Sequence, residues 1–236
     1  MKTALKITAL LLWTGLAMVI CSYAFTYLFY FLLGRDLIST PVWLTIISAT
    51  IYVASFLLAI TVHVKLFKQK YPTRKELGLA GLPTWADILL APAGFLAYLL
   101  LAAVLLLIFK NLPFFDLDQT QELGYTLTSG LDRLVAFIAL CIVAPIAEEL
   151  IFRGWLYAKL RAKIPGQKLS LILSILLVSI LFGLMHGQWN VGVNVFAMSV
   201  ILCALREVTG TIYSGILLHI LKNTVAFVLV YIVGLG

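Results

Sequence analysis

Residues 134–157 read LVAFIALCIVAPIAEELIFRGWLY, with Glu148 and Glu149 side by side and Arg153 four positions after the second. The apolar residues run on without the alternation of a half-buried strand. The run exceeds the roughly 20 residues that a helix needs to cross a bilayer. A charge at membrane depth costs about 2.5–3.5 kcal/mol even on lenient insertion scales. Two adjacent carboxylates in such a run therefore predict a polar cavity with chemistry in it.

The rest of the chain agrees with a membrane setting. Of 236 residues, 63% are hydrophobic and only 11% charged, where a soluble domain is about a quarter charged. Backbone groups in lipid must be satisfied internally, and the apolar runs are long, so the expected class is all-α: a polytopic transmembrane helical bundle. Seven spans are expected, at about 7–33, 42–64, 87–109, 134–157, 169–187, 191–206 and 211–233, the sixth being short. They form one membrane domain, 1–236, whose catalytic core at about 134–233 follows three N-terminal spans. The N-terminal run is too long for a signal-peptide core of about 7–15 residues, so it is expected to stay as the first span.

The net charge of +7 is concentrated in two loops: Lys65, Lys68, Lys70, Arg74 and Lys75 in one, Lys159, Arg161, Lys163 and Lys168 in the other. Both flank spans, so they read as positive-inside topology and not as a nucleic-acid surface. That puts the N-terminus in the cytoplasm and the acidic loop with Asp116, Asp118, Glu122 and Asp132 outside. The membrane would be the plasma membrane if the source is prokaryotic. Cys21, Cys141 and Cys203 lie in apolar runs without ligand spacing, as packing residues. Trp43, Trp85, Trp155 and Trp189 fall near expected span ends, as interface anchors. Asn190 and Asn194, at the start of the sixth span, read as helix caps, with lining of the cavity as the alternative.

Glu149 and Arg153 share a helix face in the favoured acid-before-base order, while Glu148 points about 100° away. This suggests an ion pair that supports the site and a separate carboxylate for proton chemistry. One structural network of all three is the alternative. Pro145, three residues before Glu148, has no N–H to give and so frees a backbone carbonyl. The chain has three histidines. His63 is expected at the cytoplasmic interface. His186 follows Phe182 by four, and His219 precedes Asn223 by four. A carboxylate with histidine can activate water, directly or around a metal, and a second histidine with an amide can hold an oxyanion. His186, His219 and Glu148 would also make a zinc set. By span counting His186 lies deep along the fifth span, out of level with His219.

Together Glu148-Glu149-x-x-x-Arg153, Phe182-x-x-x-His186 and His219-x-x-x-Asn223 resemble the CAAX protease and bacteriocin-processing family of intramembrane proteases, also called type II CAAX prenyl endopeptidases or the Abi family. The resemblance implies that Glu148 and His186 activate water, that His219 and Asn223 stabilise the oxyanion, and that Glu149, Arg153 and Phe182 support the site. It implies an intramembrane endopeptidase acting beside membrane lipid on a membrane-associated peptide or protein: a CAAX-type C-terminus, a leader or a secreted peptide. Self-immunity to a peptide toxin is one role it allows, and nucleic acid is not an expected partner. Metal use stays open, with zinc possible. Asn223, a poor zinc ligand, favours a metal-free, glutamate-dependent enzyme over a metalloprotease. A catalytically silent scaffold of the same fold is the main alternative, and an ion-coupled transporter is a weaker one, since no repeated halves are visible.

Overall fold

A computed structural model describes residues 2–113, 115, 127 and 129–234. Among them every regular element is helical, and seven helices are long and apolar enough to cross a membrane. These are α1 (Lys2–Leu33), α2 (Pro41–Leu66), α3 (Trp85–Phe109), α4 (Gly130–Lys163), α5 (Gln167–Leu184), α6 (Trp189–Thr209) and α7 (Tyr213–Val233). The class is all-α and polytopic, as expected. Pro41 opens α2 at its first turn, where its missing N–H leaves nothing unpaired. Of the expected acidic loop, Asp116, Asp118 and Glu122 lie outside the described residues. Asp132 belongs instead to a capping box with Ser129 that starts α4.

The sixth span is not short. α6 runs 21 residues, because Arg206 and Glu207, which look like a boundary, are paired and so carried within the helix. Glu207 accepts from Tyr157 Oη at 2.7 Å and from Arg161 at 2.7 Å. Arg206 donates to the carbonyls of Gly210 and Glu76. The helix then stops at Gly210 in the left-handed conformation. Asn190 and Asn194 do not cap it. The N-cap is Gln188, whose side chain makes no capping bond, Asn190 accepts from Val191 N–H, and Asn194 Oδ1 accepts from Tyr98 Oη at 2.8 Å.

The chain divides into two compact units, each drawn from separated stretches of sequence. The first takes residues 1–12, 72–121 and 149–218. In it α5 and α6 touch backbone to backbone: a β-carbon on Gly183 would lie 2.8 Å from Gly192 O, so only glycine fits. The basic loop is tied to the start of α7, with Ile212 N–H donating to Gly78 O at 3.0 Å and Tyr213 Oη to Gly81 O at 3.0 Å. Gly78 has φ +74°, a conformation that strains any L side chain, and it stands against the Arg206 guanidinium. Glu76, in the same loop, is held below the usual carboxylate range, first by Thr73 N–H and then by the Thr73 hydroxyl. Trp155, expected at the interface, is buried in this unit with Lys159 Nζ 5.0 Å from its ring. Hydropathy windows place a tryptophan near a span end without saying which way it faces. Trp85 and Trp189 are exposed at the starts of α3 and α6, where anchors belong.

The second unit takes residues 13–71, 122–148 and 219–236. In it α1 is tied to α2 by Trp13 Nε1, which donates to Ala59 O at 3.2 Å. α2 meets the first part of α4 where Thr45 Oγ1 reaches Val135 O at 3.5 Å. His63, in the last turn of α2, is buried and packs its ring 4.6 Å from Phe67. Phe137 of α4 meets Phe227 of α7 edge-on at 5.5 Å, beside buried Ala136 and Cys141.

Candidate active site

The helix that carries the two glutamates is not uniformly α. It widens to π geometry over Ile138–Val143 and again over Leu150–Tyr157, and such bulges are frequent at functional sites. The first has a cause in the sequence. Ala144 N–H donates to Ala139 O, five residues back, and the residue five after Leu140 is Pro145, which has no N–H. The carbonyl of Leu140 therefore lacks a helical donor. Asn223 of α7 supplies one, Nδ2 donating at 2.8 Å. The carbonyl that Pro145 was expected to free is thus the one that holds the candidate oxyanion donor. An amide has two N–H groups, and this bond uses one.

One helical turn before Asn223, His219 Nε2 lies 3.7 Å from Glu148 Oε2. The histidine side chain is 3% exposed and the glutamate 13%. The other oxygen, Glu148 Oε1, accepts a 2.6 Å hydrogen bond from Tyr52 Oη of α2. Tyr52 was missed by the sequence reading. No motif contains it, and the only available signal was a phenol within an apolar span.

The remaining candidates gather in the first unit. Arg153 Nη1 donates to Glu149 Oε1 at 2.9 Å, both side chains 0% exposed. The guanidinium carbon sits 4.6 Å from the centre of the Phe182 ring, a desolvated cation–π contact worth about 2 kcal/mol. Phe182 also meets Phe152 edge-on at 4.9 Å and His186 at 5.0 Å. It is the ring on which the buried charge and the histidine both lean. α5 ends at Leu184, so His186 stands in the turn after the helix and not deep along a span. Its Nδ1 is 2.8 Å from Phe182 O. A carbonyl only accepts, so His186 Nδ1 carries a proton in this contact. Its neighbours Leu184 and Gly187 help line an apolar cavity of about 410 Å³, walled by α3, α5 and α6.

The residues expected at the site thus form two sets, each inside one unit: Glu148, His219 and Asn223, and Glu149, Arg153, Phe182 and His186. Among the described residues no three His, Cys, Asp or Glu side chains form a group that could hold a metal ion. Of the three residues that would make a zinc set, Glu148 and His219 lie in the second unit and His186 in the first.

No curated protein and no solved structure gives a significant match to the chain. A family model does: residues 130–225 match type II CAAX prenyl endopeptidase Rce1-like. The matched stretch runs from the start of α4 into α7 and contains all three motifs, and α1–α3 precede it. With seven apolar helices, the match supports an integral, multi-pass membrane protein, and residues 130–225 are similar to the type II CAAX prenyl endopeptidase Rce1-like family, a likeness that implies a protease.

Proposed function

We propose that the protein is an intramembrane endopeptidase that hydrolyses a peptide bond at or near the membrane with a water activated by Glu148. The observation that carries this reading is the pairing of Glu148 with His219 at 3.7 Å in otherwise apolar helices. A structural ion pair needs no second carboxylate, because Glu149 already pairs with Arg153. In the reaction Glu148 takes a proton from water, and the water oxygen attacks the peptide carbonyl carbon. The developing oxyanion is held by His219 and by the second N–H of Asn223. The same proton then passes from Glu148 to the leaving amine. On the family resemblance, His186 is read as assisting Glu148 in activating the water.

The substrate in this reading is membrane-associated and partly apolar. A CAAX-type C-terminus, a leader or a secreted peptide all meet that description.

The test uses the purified chain in phosphatidylethanolamine/phosphatidylglycerol vesicles with a farnesylated fluorogenic CAAX-type peptide. Peptides in membranes carrying wild type or Glu148→Gln are profiled by mass in parallel. Wild type yields products that Glu148→Gln does not, at equal folded abundance, and a chelator leaves turnover unchanged. Products from Glu148→Gln would remove the glutamate from the mechanism. Loss of turnover on chelation and its return with zinc would replace the direct base by a metal.

A further inference from the structure

Tyr52 lies in α2, outside the family-matched residues 130–225 and 96 positions from Glu148 in sequence. Its hydroxyl donates to Glu148 Oε1 at 2.6 Å. That is the length of a charge-assisted O–H···O⁻ bond, about 2.5–2.7 Å. Phenylalanine would fill an apolar span equally well, so the hydroxyl is the informative atom. On its other side Glu148 faces α7, with His219 Nε2 3.7 Å from Oε2.

We infer that Tyr52 is a positioning residue of the active site, a donor from the N-terminal spans that selects which oxygen of Glu148 carries the catalytic proton. The inference rests on the reading of Glu148 as the base. A carboxylate that accepts from a phenol through Oε1 keeps that bond strongest after protonation when the new proton sits on Oε2, because a carbonyl oxygen accepts better than a hydroxyl oxygen. The phenol therefore reserves Oε1 as the carbonyl-type oxygen and directs proton uptake from water, and later release to the amine, to the oxygen facing His219. It also removes rotational freedom from a side chain with three rotatable bonds. A misplacement of about 1 Å at a reacting group costs on the order of 100-fold in rate. α2 is held to α4 elsewhere by Thr45, so the donor comes from a packed helix.

The experiment compares wild type, Glu148→Gln, Tyr52→Phe and a chain with 3,5-difluorotyrosine at position 52, in the vesicles and with the fluorogenic peptide named above. Tyr52→Phe is expected to lower kcat roughly 10- to 100-fold with KM and thermal midpoint unchanged. Difluorotyrosine keeps the hydroxyl and nearly the shape but alters donor strength. It should restore most of the rate while moving kcat measurably from wild type, a change that a space-filling role would not produce. Wild-type kcat in Tyr52→Phe beside an inactive Glu148→Gln would overturn the inference alone. So would a rate loss matched by loss of folded protein. An active Glu148→Gln would overturn the reading beneath it.

Discussion

Glu149 Oε2 lies so close to Gly215 that a β-carbon added there would stand 3.1 Å from it. Glu149 cannot easily give way, because its other oxygen is held by Arg153 at 2.9 Å in a fully buried pair. Gly215, His219 and Asn223 follow at intervals of four and share a face of α7. Gly215→Ala is therefore expected to destabilise by about 1–3 kcal/mol, as overpacking does. The loss should appear as reduced folded yield and a lower thermal midpoint in detergent. An unchanged midpoint would mean that the carboxylate moves freely.

The same buried pair predicts a clear asymmetry between the two glutamates. Removing one partner of a buried ion pair strands the other at about 3–5 kcal/mol. Glu149→Gln and Arg153→Ala should lower folded abundance, whereas Glu148→Gln should not. Arg153→Lys should fail as well, because an ammonium cannot reproduce the flat guanidinium contact with Phe182. Size-exclusion profiles of the four variants separate the roles, and normal profiles for all four would refute the division.

Asn223 is expected to be sensitive to charge and not only to size. Asn223→Asp sets an acceptor against the Leu140 carbonyl that the amide now satisfies. It should reduce folded yield more than Asn223→Ala, which leaves that carbonyl unpaired at about 1–3 kcal/mol. Pro145→Ala restores a backbone N–H near Leu140 and should compete for its carbonyl. That change should lower turnover while leaving abundance close to wild type. Equal yields for the aspartate and alanine variants would show that the bond contributes nothing.

The basic loops predict orientation. Cys21, Cys141 and Cys203 are buried, so they give little background to thiol labelling. A cysteine replacing exposed Lys70 should react with an impermeant reagent only after the membrane is permeabilised, and one replacing Ser39 should react without it. The reverse pattern would invert the topology.

What was readable from the chain alone was whatever depends on neighbours along it. Hydropathy revealed seven spans, since crossing a bilayer is a matter of local composition. The Glu149–Arg153 pair was readable because positions four apart meet on any α-helix, and even through a π segment they still do. Pro145 announced a freed carbonyl because proline lacks an N–H wherever it sits. Only the tertiary structure decided the rest. The donor for that carbonyl, Asn223, stands 83 positions away, and Tyr52 stands 96 positions from Glu148. Trp155 and His63 looked like interface residues by position and are buried, because burial depends on which helix packs on which face. Arg206 and Glu207 looked like a helix end and are inside α6, because their partners come from other helices and from the basic loop. The physical reason is the same in each case. Backbone geometry and hydropathy act over one or two turns, whereas the partner of a buried polar group is chosen by packing between segments that the sequence keeps far apart.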